Sequence, residues 1–374
     1  MPVAIHAIGT AEPPFAYDEP ELAARLRGWV AEPALRALLD RVHARSGIAR
    51  RHSALPDFGP AGGELFRTGP DGRVAAPGTA ARNRAYAAAA RPLAAEAARR
   101  ALAAAGFRPE QVSHVIFATC TGFVNPGPDY HLVRDLGLPE ATERTTVGFM
   151  GCYAALPALR LARQACLADP TAVALVVCLE LCTLHMQPEA TPESIVANAL
   201  FADGAAAAVV SARTPARGLP HYVIGDFRSA LLPSGEAHMA WEIGDHGFRM
   251  MLSAYVPELI GANIRSIVDG LLAPRGMTAD AIAEWAVHPG GRAILDEVGR
   301  QLGLSANALA AARGVLRDHG NMSSPTVLYV LRRLLEQGGP GRAPTCALAF
   351  GPGLTVESAF LERVGAPAAV ALAP

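Results

Sequence analysis

Three polar residues, far apart in the chain, have the side chains needed for nucleophilic catalysis. Cys152 stands directly before an apolar helical pattern that has Pro157 in its first turn. A thiol at a helix N-terminus lies near free N–H groups and the positive end of the helix dipole, so we expect a lowered pKa and a reactive thiolate. His288 ends a strand-like run, and Asn321 follows a glycine in a turn. The imidazole would stabilise the thiolate, and both later side chains could donate to an oxyanion.

Each of these residues also has an ordinary structural interpretation. Most cysteines are small buried hydrophobic residues, and a single histidine at a strand end is more often structural. Asn321 fits a turn before a helix cap, and the Gly-Pro-Gly run that starts at Gly351 fits a hairpin. Because cysteine proteases use the same residue types on another fold, the set alone does not name a reaction.

The composition excludes several classes of protein. The 374 residues are 51% hydrophobic with a net charge of −1, so the chain can bury a large core and has no basic field for nucleic acid or a membrane surface. Six cysteines without regular spacing do not form a disulfide pattern, and Cys166, Cys178 and Cys346 lie in apolar runs typical of a core. We find no signal-peptide pattern and no apolar run long enough to span a bilayer. These observations predict a soluble, cytoplasmic protein.

The elements that must position the three polar residues alternate between strands and helices. Val112–Cys120 and Val173–Leu181 are continuous apolar runs rich in β-branched residues, which predicts strands buried on both faces. A long helix with a proline interruption is expected to end at Gly106. This alternation continues to the end of the chain and predicts α/β layers. Residues 56–78 are expected to form a surface loop, and residues 365–374 an irregular tail.

Five motifs follow one another along the chain: FMGCYAALPALRLA, NALFADGAAA, VHPGG, DHGNMSSPTVL and AFGPGLTVE. With these motifs the chain resembles the type III polyketide synthases, the chalcone-synthase-like branch of the thiolase fold. The resemblance implies two pseudo-duplicated halves in a five-layered αβαβα arrangement. Residues 1–217 would carry the cysteine, and residues 218–374 the histidine and asparagine. It also implies a homodimer that uses acyl-CoA and malonyl-CoA, with no metal and no other cofactor.

The same resemblance implies a role for each of the three polar residues. Cys152 would take a starter acyl group from a CoA thioester. His288 and Asn321 would promote decarboxylation of malonyl-CoA by stabilising the enolate oxygen. The resulting carbanion would then attack the thioester on Cys152, and the cycle would repeat.

The resemblance also implies a set of substrate-binding residues. Phe201 matches a gatekeeper phenylalanine between the CoA tunnel and the cavity, whereas Met250 stands where the family usually has a second phenylalanine. A flexible methionine there favours a longer or bulkier chain. Arg41 and Arg45 match two basic positions at the tunnel mouth, with Leu38 at the third. The other residues predicted to bind substrate are Cys120, Cys182, His185, Ser323, Phe350, Gly351, Pro352 and Gly353.

The run VVCLELCTLHMQ favours one kind of product. Bacterial members that accept long fatty acyl-CoA starters often have ELCTLH there, so we expect an alkylresorcinol or alkylpyrone synthase. One alternative is a naphthalene-forming synthase that uses malonyl-CoA alone. Another is a ketoacyl synthase III-like enzyme that uses acyl carrier protein. A cysteine hydrolase and a non-catalytic partner that keeps the fold are two further alternatives.

Overall fold

A computed structural model of the chain describes residues 1–60 and 62–366. Residue 61 of the predicted loop and residues 367–374 of the predicted tail lie outside the described residues. The helices are α1 (Glu19–Arg27), α2 (Pro33–Arg45), α3 (Thr79–Ala105), α4 (Pro128–Leu136), α5 (Ala155–Ala168), α6 (Pro192–Leu200), α7 (Val256–Leu272), α8 (Arg292–Leu302), α9 (Ala310–His319) and α10 (Thr326–Gln337). The strands are β1 (Ala4–Ala11), β2 (Phe15–Asp18), β3 (Arg50–Ser53), β4 (His114–Thr119), β5 (Glu143–Gly148), β6 (Val173–Leu181), β7 (Asp203–Ser211), β8 (His221–Leu231), β9 (Met239–Gly244), β10 (Gly247–Leu252), β11 (Glu284–Val287), β12 (Gly341–Gly351) and β13 (Thr355–Gly365).

Nine strands form one mixed sheet in the order β11-β12-β13-β8-β1-β7-β6-β4-β5. In the first half, β4 runs parallel to β5 and β6, and β7 runs antiparallel to both β6 and β1. The second half repeats this pattern, because β11 is parallel to β12 and β13 is antiparallel to both β12 and β8. The pseudo-duplication is therefore confirmed, although β5 has no counterpart among the described residues of the second half. The boundary between residues 217 and 218 lies between β7 and β8 and stays a prediction.

Two helices lie between the halves and complete the five layers. α5 contacts β4, β6 and β7 on one side and β8 and β13 on the other, while α10 contacts β1, β7, β11 and β12. The first six residues of α10 are all buried, as expected for a helix packed between two layers. α3 and α4 cover the outer face of the first half, and α7 covers the outer face of the second. The predicted αβαβα arrangement is confirmed.

Several elements differ from the sequence-based expectations. α3 continues through Pro92, because Pro92 and Ala88 lie on the exposed side of the helix, where water can bind the carbonyl that loses its donor. Residues 56–78 are more than a surface loop, since they bury Phe58 and Phe66. The hairpin of β9 and β10 and the small sheet of β2 and β3 were not predicted. Within the described residues, no helix has both the length and the apolar character to cross a membrane.

Candidate active site

Cys152 lies in a single 3-10 turn, Gly151–Tyr153, directly before α5. The turn packs against the loop between β12 and β13. A Cβ on Gly151 would lie 2.6 Å from Cδ of Pro352, and Gly151 has a φ of +77°, so only glycine fits. A Cβ on Gly351 would lie 3.4 Å from the backbone nitrogen of Cys152. The Gly-Pro-Gly loop of the second half therefore forms one wall beside the cysteine of the first half.

His288 and Asn321 follow secondary-structure elements of the second half. His288 comes directly after β11, and its N–H donates to the carbonyl of Leu348 at 2.7 Å. Asn321 comes two residues after α9 and joins the end of α6 through two backbone bonds. Its N–H donates to the carbonyl of Leu200 at 2.9 Å, and its carbonyl accepts from the N–H of Ala202 at 2.9 Å. Asn321 is thus fixed beside Phe201.

Hydrogen bonds also fix the carboxamide of Asn321. Its Nδ2 donates to the carbonyl of Gly290 at 3.2 Å, and its Oδ1 accepts from the N–H of Ser323 at 2.8 Å. Because a carboxamide nitrogen carries two N–H groups, one remains for a ligand. Ser323 itself has a φ of +58°, an uncommon conformation for a side chain other than glycine.

The structure brings Cys152, His288 and Asn321 together around one cavity. Among the described residues, neither ring nitrogen of His288 has a hydrogen-bond partner, although the ring is only 1% exposed. A buried polar atom without a partner costs about 1–3 kcal/mol. A neutral imidazole has one acceptor nitrogen and one N–H donor. The His288 ring can therefore receive a proton, and its N–H can bind a developing oxyanion together with the free amide N–H of Asn321.

The electrostatics of the cysteine differ from the sequence-based expectation. Burial raises the pKa of the Cys152 thiol to about 11, although the polar side chains of Ser323 and Asn321 nearby oppose the shift. Burial likewise lowers the pKa of His288 to about 3. The prediction of a lowered thiol pKa is therefore wrong, since loss of hydration outweighs the N-terminal end of α5. Burial thus favours the uncharged form of both groups.

Two larger cavities flank a closed space around Cys152. The spaces lined by Cys152 hold only about 10 and 20 Å³, which is room for a water molecule or less. A cavity of about 500 Å³ lies beside α2 and α8, and another of about 350 Å³ lies between α6 and β9–β10. Phe201 and Met250 line both small spaces and the 350 Å³ cavity. These two side chains therefore separate the thiol from the larger volume.

The remaining predicted residues lie in three places. Arg41, Arg45 and Leu38 line the 500 Å³ cavity, and Arg292 adds a third cation there. Cys182 and His185 line the 350 Å³ cavity. The residues beside Cys152 are Cys120, Ser323, Phe350 and Pro352, whereas Gly351 and Gly353 are not among the lining residues of these cavities. Residues 1–60 and 62–366 contain no group of three or more side chains placed to hold a metal ion.

His185 has a structural role as well as its place in the cavity wall. Its Nε2 lies 2.7 Å from the carbonyl of Thr121, and its Nδ1 lies 3.0 Å from the N–H of Phe248. These partners require a neutral ring that carries its proton on Nε2. The ring also stacks on Phe248 with centroids 4.1 Å apart. His185 thereby joins the end of β6 to the hairpin that carries Met250.

Sequence analysis missed two residues of the site. Trp241 on β9 lines both the space beside Cys152 and the 350 Å³ cavity, and its Nε1 donates to the carbonyl of Cys120 at 2.7 Å. Glu180 is fully buried and accepts from the N–H of Cys120 and the hydroxyls of Thr121 and Ser324 at 2.7–2.8 Å. Glu180 is a carboxylate inside the apolar run VALVVCLEL, and this position could have indicated a buried polar residue with a special role. No local pattern indicated that Trp241 belongs to the site.

Comparison with known proteins identifies the family. Residues 2–214 match the model "Chalcone and stilbene synthases, N-terminal domain", and residues 227–365 match the C-terminal domain of the same family. The chain is 32% identical over 366 residues to "Alpha-pyrone synthesis polyketide synthase-like Pks18" of Mycobacterium tuberculosis, with 96% of this chain and 91% of that protein covered.

Solved structures agree with this match. PKS-I from the brown alga Ectocarpus siliculosus superposes with a TM-score of 0.89 at 32% identity, over 97% of this chain and 98% of that one. The C-terminal type III polyketide synthase domain of Steely1 from Dictyostelium gives 0.88 at 27% identity, over 97% and 100%. The fold is thus that of a thiolase-type condensing enzyme. The chain belongs to the type III polyketide synthases, transferases that catalyse decarboxylative Claisen condensation on CoA thioesters.

Proposed function

We propose that this enzyme loads a long-chain fatty acyl group from CoA onto Cys152, extends it with malonyl-CoA and releases an alkylpyrone or alkylresorcinol. The observation that carries the proposal is the buried ring of His288, whose two nitrogens lack partners in the cavity shared with Cys152 and Asn321. The 32% identity to a protein named for alpha-pyrone synthesis supports the pyrone.

The neutral site suggests how the cysteine is activated. Burial disfavours a lone thiolate and a lone imidazolium, but the two attract each other strongly when they form together in a dry site. We therefore assign proton transfer from the thiol of Cys152 to His288 as the sulfur attacks the acyl-CoA carbonyl. CoA leaves as a thiol, and the acyl group remains as a thioester on the sulfur.

Extension of the acyl chain depends on the hydrogen-bond donors of Asn321 and His288. Malonyl-CoA loses CO₂ while the free N–H of Asn321 and the N–H of the neutral His288 ring donate to the enolate oxygen. The enolate carbon forms a bond with the carbonyl carbon on Cys152, and the carbon–sulfur bond breaks to free the thiolate, which regains its proton from water. The lengthened chain is then a CoA thioester that can load again.

The two flanking cavities support separate binding sites for CoA and for the alkyl chain of the starter. Arg41, Arg45 and Arg292 give the 500 Å³ cavity three cations, which suit CoA phosphates. The 350 Å³ cavity is lined mainly by polar side chains such as Glu189, Glu193 and Arg249. Cys182, Phe201 and Met250 line it where it meets the space beside Cys152, and we assign this inner part to the alkyl chain of the starter. Phe201 and Met250 line the 350 Å³ cavity and both small spaces beside Cys152, so we propose that they act as the gate.

One experiment tests the proposal. The enzyme is incubated with malonyl-CoA and acyl-CoA starters from two to twenty carbons, and intact protein and products are analysed by mass spectrometry. We expect the acyl mass on the parent enzyme, no acyl mass on Cys152→Ala, and pyrones or resorcinols with long starters. Cys166→Ala, a change at a buried cysteine outside the site, is the matched control.

The other outcomes separate the alternatives. A product from malonyl-CoA alone would favour the naphthalene-forming synthase. Acyl transfer only from carrier-protein thioesters would favour the ketoacyl synthase III-like enzyme. Free acid without malonyl-CoA would indicate a hydrolase. An unchanged acyl mass on Cys152→Ala would remove this residue from the mechanism.

A further inference from the structure

A buried arginine outside the catalytic cavity contacts both segments that carry Phe201 and Asn321. Arg51 on β3 is 1% exposed. Its Nη1 donates to the carbonyl of Asn198 at 2.6 Å and to the carbonyl of Phe201 at 3.1 Å. Its guanidinium thus holds the last turn of α6 and the backbone of the proposed gate.

The aliphatic part of the same side chain packs on the turn before Asn321. A Cβ on Gly320 would lie 2.9 Å from Cγ of Arg51 and 3.2 Å from Cβ of Ala202. Gly320 has a φ of +70°, so glycine is needed for its backbone as well as for the close approach. One side chain therefore touches the residues on each side of the backbone bridge between Phe201 and Asn321.

A buried carboxylate fixes the position of the guanidinium. Oε2 of Glu19 accepts from Nε of Arg51 at 3.2 Å, and Oε1 of Glu19 lies 2.6 Å from Nδ1 of His43. His43 is on α2, the helix whose other side carries Arg41 and Arg45. The chain of contacts therefore runs from the helix beside the 500 Å³ cavity to the bridge beside Asn321.

Stability alone is a poor explanation for this arrangement. A buried ion pair often contributes little net stability, because desolvation offsets the attraction between the charges. Nη2 of Arg51 also lacks a partner among the described residues, which adds to the cost of burial. The fork geometry of a guanidinium nevertheless allows several directed hydrogen bonds from one rigid group, which a lysine cannot reproduce.

We propose that Arg51 is a positioning residue for the condensation chemistry: it sets the distance between the Phe201 and Asn321 segments and so the aim of the free Asn321 N–H. The inference rests on the proposed function of Asn321. Cys152 and its turn have no hydrogen bond to Arg51 in the described structure. Arg51 therefore affects decarboxylation of malonyl-CoA more strongly than acylation of Cys152.

The test compares these two partial reactions in Arg51→Lys. We expect CO₂ release from malonyl-CoA to fall roughly 10- to 100-fold, because a displacement of about 1 Å at a reacting group costs up to about 10²-fold. Acylation of Cys152, followed by intact-protein mass and normalised to folded enzyme, should stay within about twofold of the parent. The neighbouring Arg50→Lys is the matched control, since Arg50 is exposed and pairs only with Asp18.

A second variant covers the case in which Arg51→Lys does not fold. Glu19→Gln together with Arg51→Gln removes both charges of the buried pair and should show the same loss of CO₂ release relative to acylation. An unchanged ratio of the two rates in either folded variant would overturn the proposal, because a purely structural role lowers both rates in parallel. A parent enzyme that neither becomes acylated nor releases CO₂ would instead contradict the proposed function.

Discussion

At the scale of the residue, the site combines groups that are neutral at rest with donors aimed at a charge that forms only during reaction. Burial raises the pKa of the thiol and lowers that of the imidazole, which favours the uncharged form of each. Asn321 is held by Gly290 and Ser323 so that one N–H stays free. Such preorganised donors stabilise a transition state more than a ground state.

Asn321→Ala should therefore slow decarboxylation of malonyl-CoA by roughly 10²- to 10³-fold, the usual cost of one lost oxyanion donor. Acylation of Cys152 should be much less affected, since Cys152 and His288 remain. The rates are measured as CO₂ release and as acyl mass on the protein. Asn307→Ala, at an exposed asparagine, is the control, and decarboxylation at the parent rate would remove Asn321 from this role.

Glu180 should make stability depend on pH. Burial raises its pKa from 4.5 to about 7, so the folded protein binds this proton more tightly than the unfolded chain does. This contribution is complete below about pH 4.5 and is lost as the pH rises through 7. Between pH 5 and pH 8 the free energy of unfolding should fall by about 2–3 kcal/mol in the parent relative to Glu180→Gln.

Urea unfolding at the two pH values measures this difference. Glu140→Gln, at an exposed carboxylate, should follow the parent. Equal pH dependence in the parent and in Glu180→Gln would show that Glu180 keeps an ordinary pKa in the folded protein.

At the scale of the element, the hairpin of β9 and β10 controls the volume beside Cys152. It carries Met250 and Trp241, and it is tied to the first half by His185 and by the bond from Trp241 to Cys120. Trp241 lines the space beside Cys152 and the 350 Å³ cavity. Removing this ring should join the two.

Trp241→Ala should therefore shift the preferred starter towards longer or bulkier acyl groups. Because Trp241 is only half-buried, we also expect a loss of stability smaller than the about 3–5 kcal/mol that truncation of a fully buried aromatic residue costs. Competition between two acyl-CoA starters, read by product mass, gives the preference. Ile243→Ala changes an exposed residue of the same hairpin and should leave it unchanged. An identical starter profile in both variants would show that Trp241 does not limit the chain.

At the scale of the whole molecule, β5 forms an open edge of the nine-stranded sheet. The N–H groups of Glu143 and Phe149 donate to backbone carbonyls on or next to the neighbouring strand β4, at 2.9 and 3.1 Å. Alternate residues such as Thr146 therefore direct their N–H groups away from the sheet. An exposed edge of this kind can pair with a second copy of the chain, which supports the proposed homodimer.

Thr146→Pro should convert that dimer to a monomer, because proline removes an outward N–H without removing a bond to β4. Light scattering after size-exclusion chromatography measures the mass. Thr146→Ala keeps the N–H and should remain a dimer. A dimeric Thr146→Pro enzyme, or a monomeric parent, would show that β5 does not form the interface.

The sequence predicted those parts of the molecule whose signals are local. Val173–Leu181 was predicted with the bounds that the structure has, because it is an unbroken apolar run. β5 and β9 alternate weakly and take their stability from distant partners, so their patterns were not distinctive. Arg51 follows the exposed Arg50 directly in the sequence, so no local pattern indicated its burial. The thiol pKa depends on burial, which no motif encodes.

The closed space around Cys152 has a consequence for the lifetime of the enzyme. Peroxides oxidise thiolates that solvent can reach, and they react slowly with neutral, enclosed sulfur. At rest, the sulfur of this enzyme is chemically similar to that of an inert core cysteine. If Phe201 and Met250 form the gate, the rate of oxidative inactivation should follow the fraction of time for which these two side chains are displaced. An enzyme that is turning over should therefore be inactivated faster than an idle one.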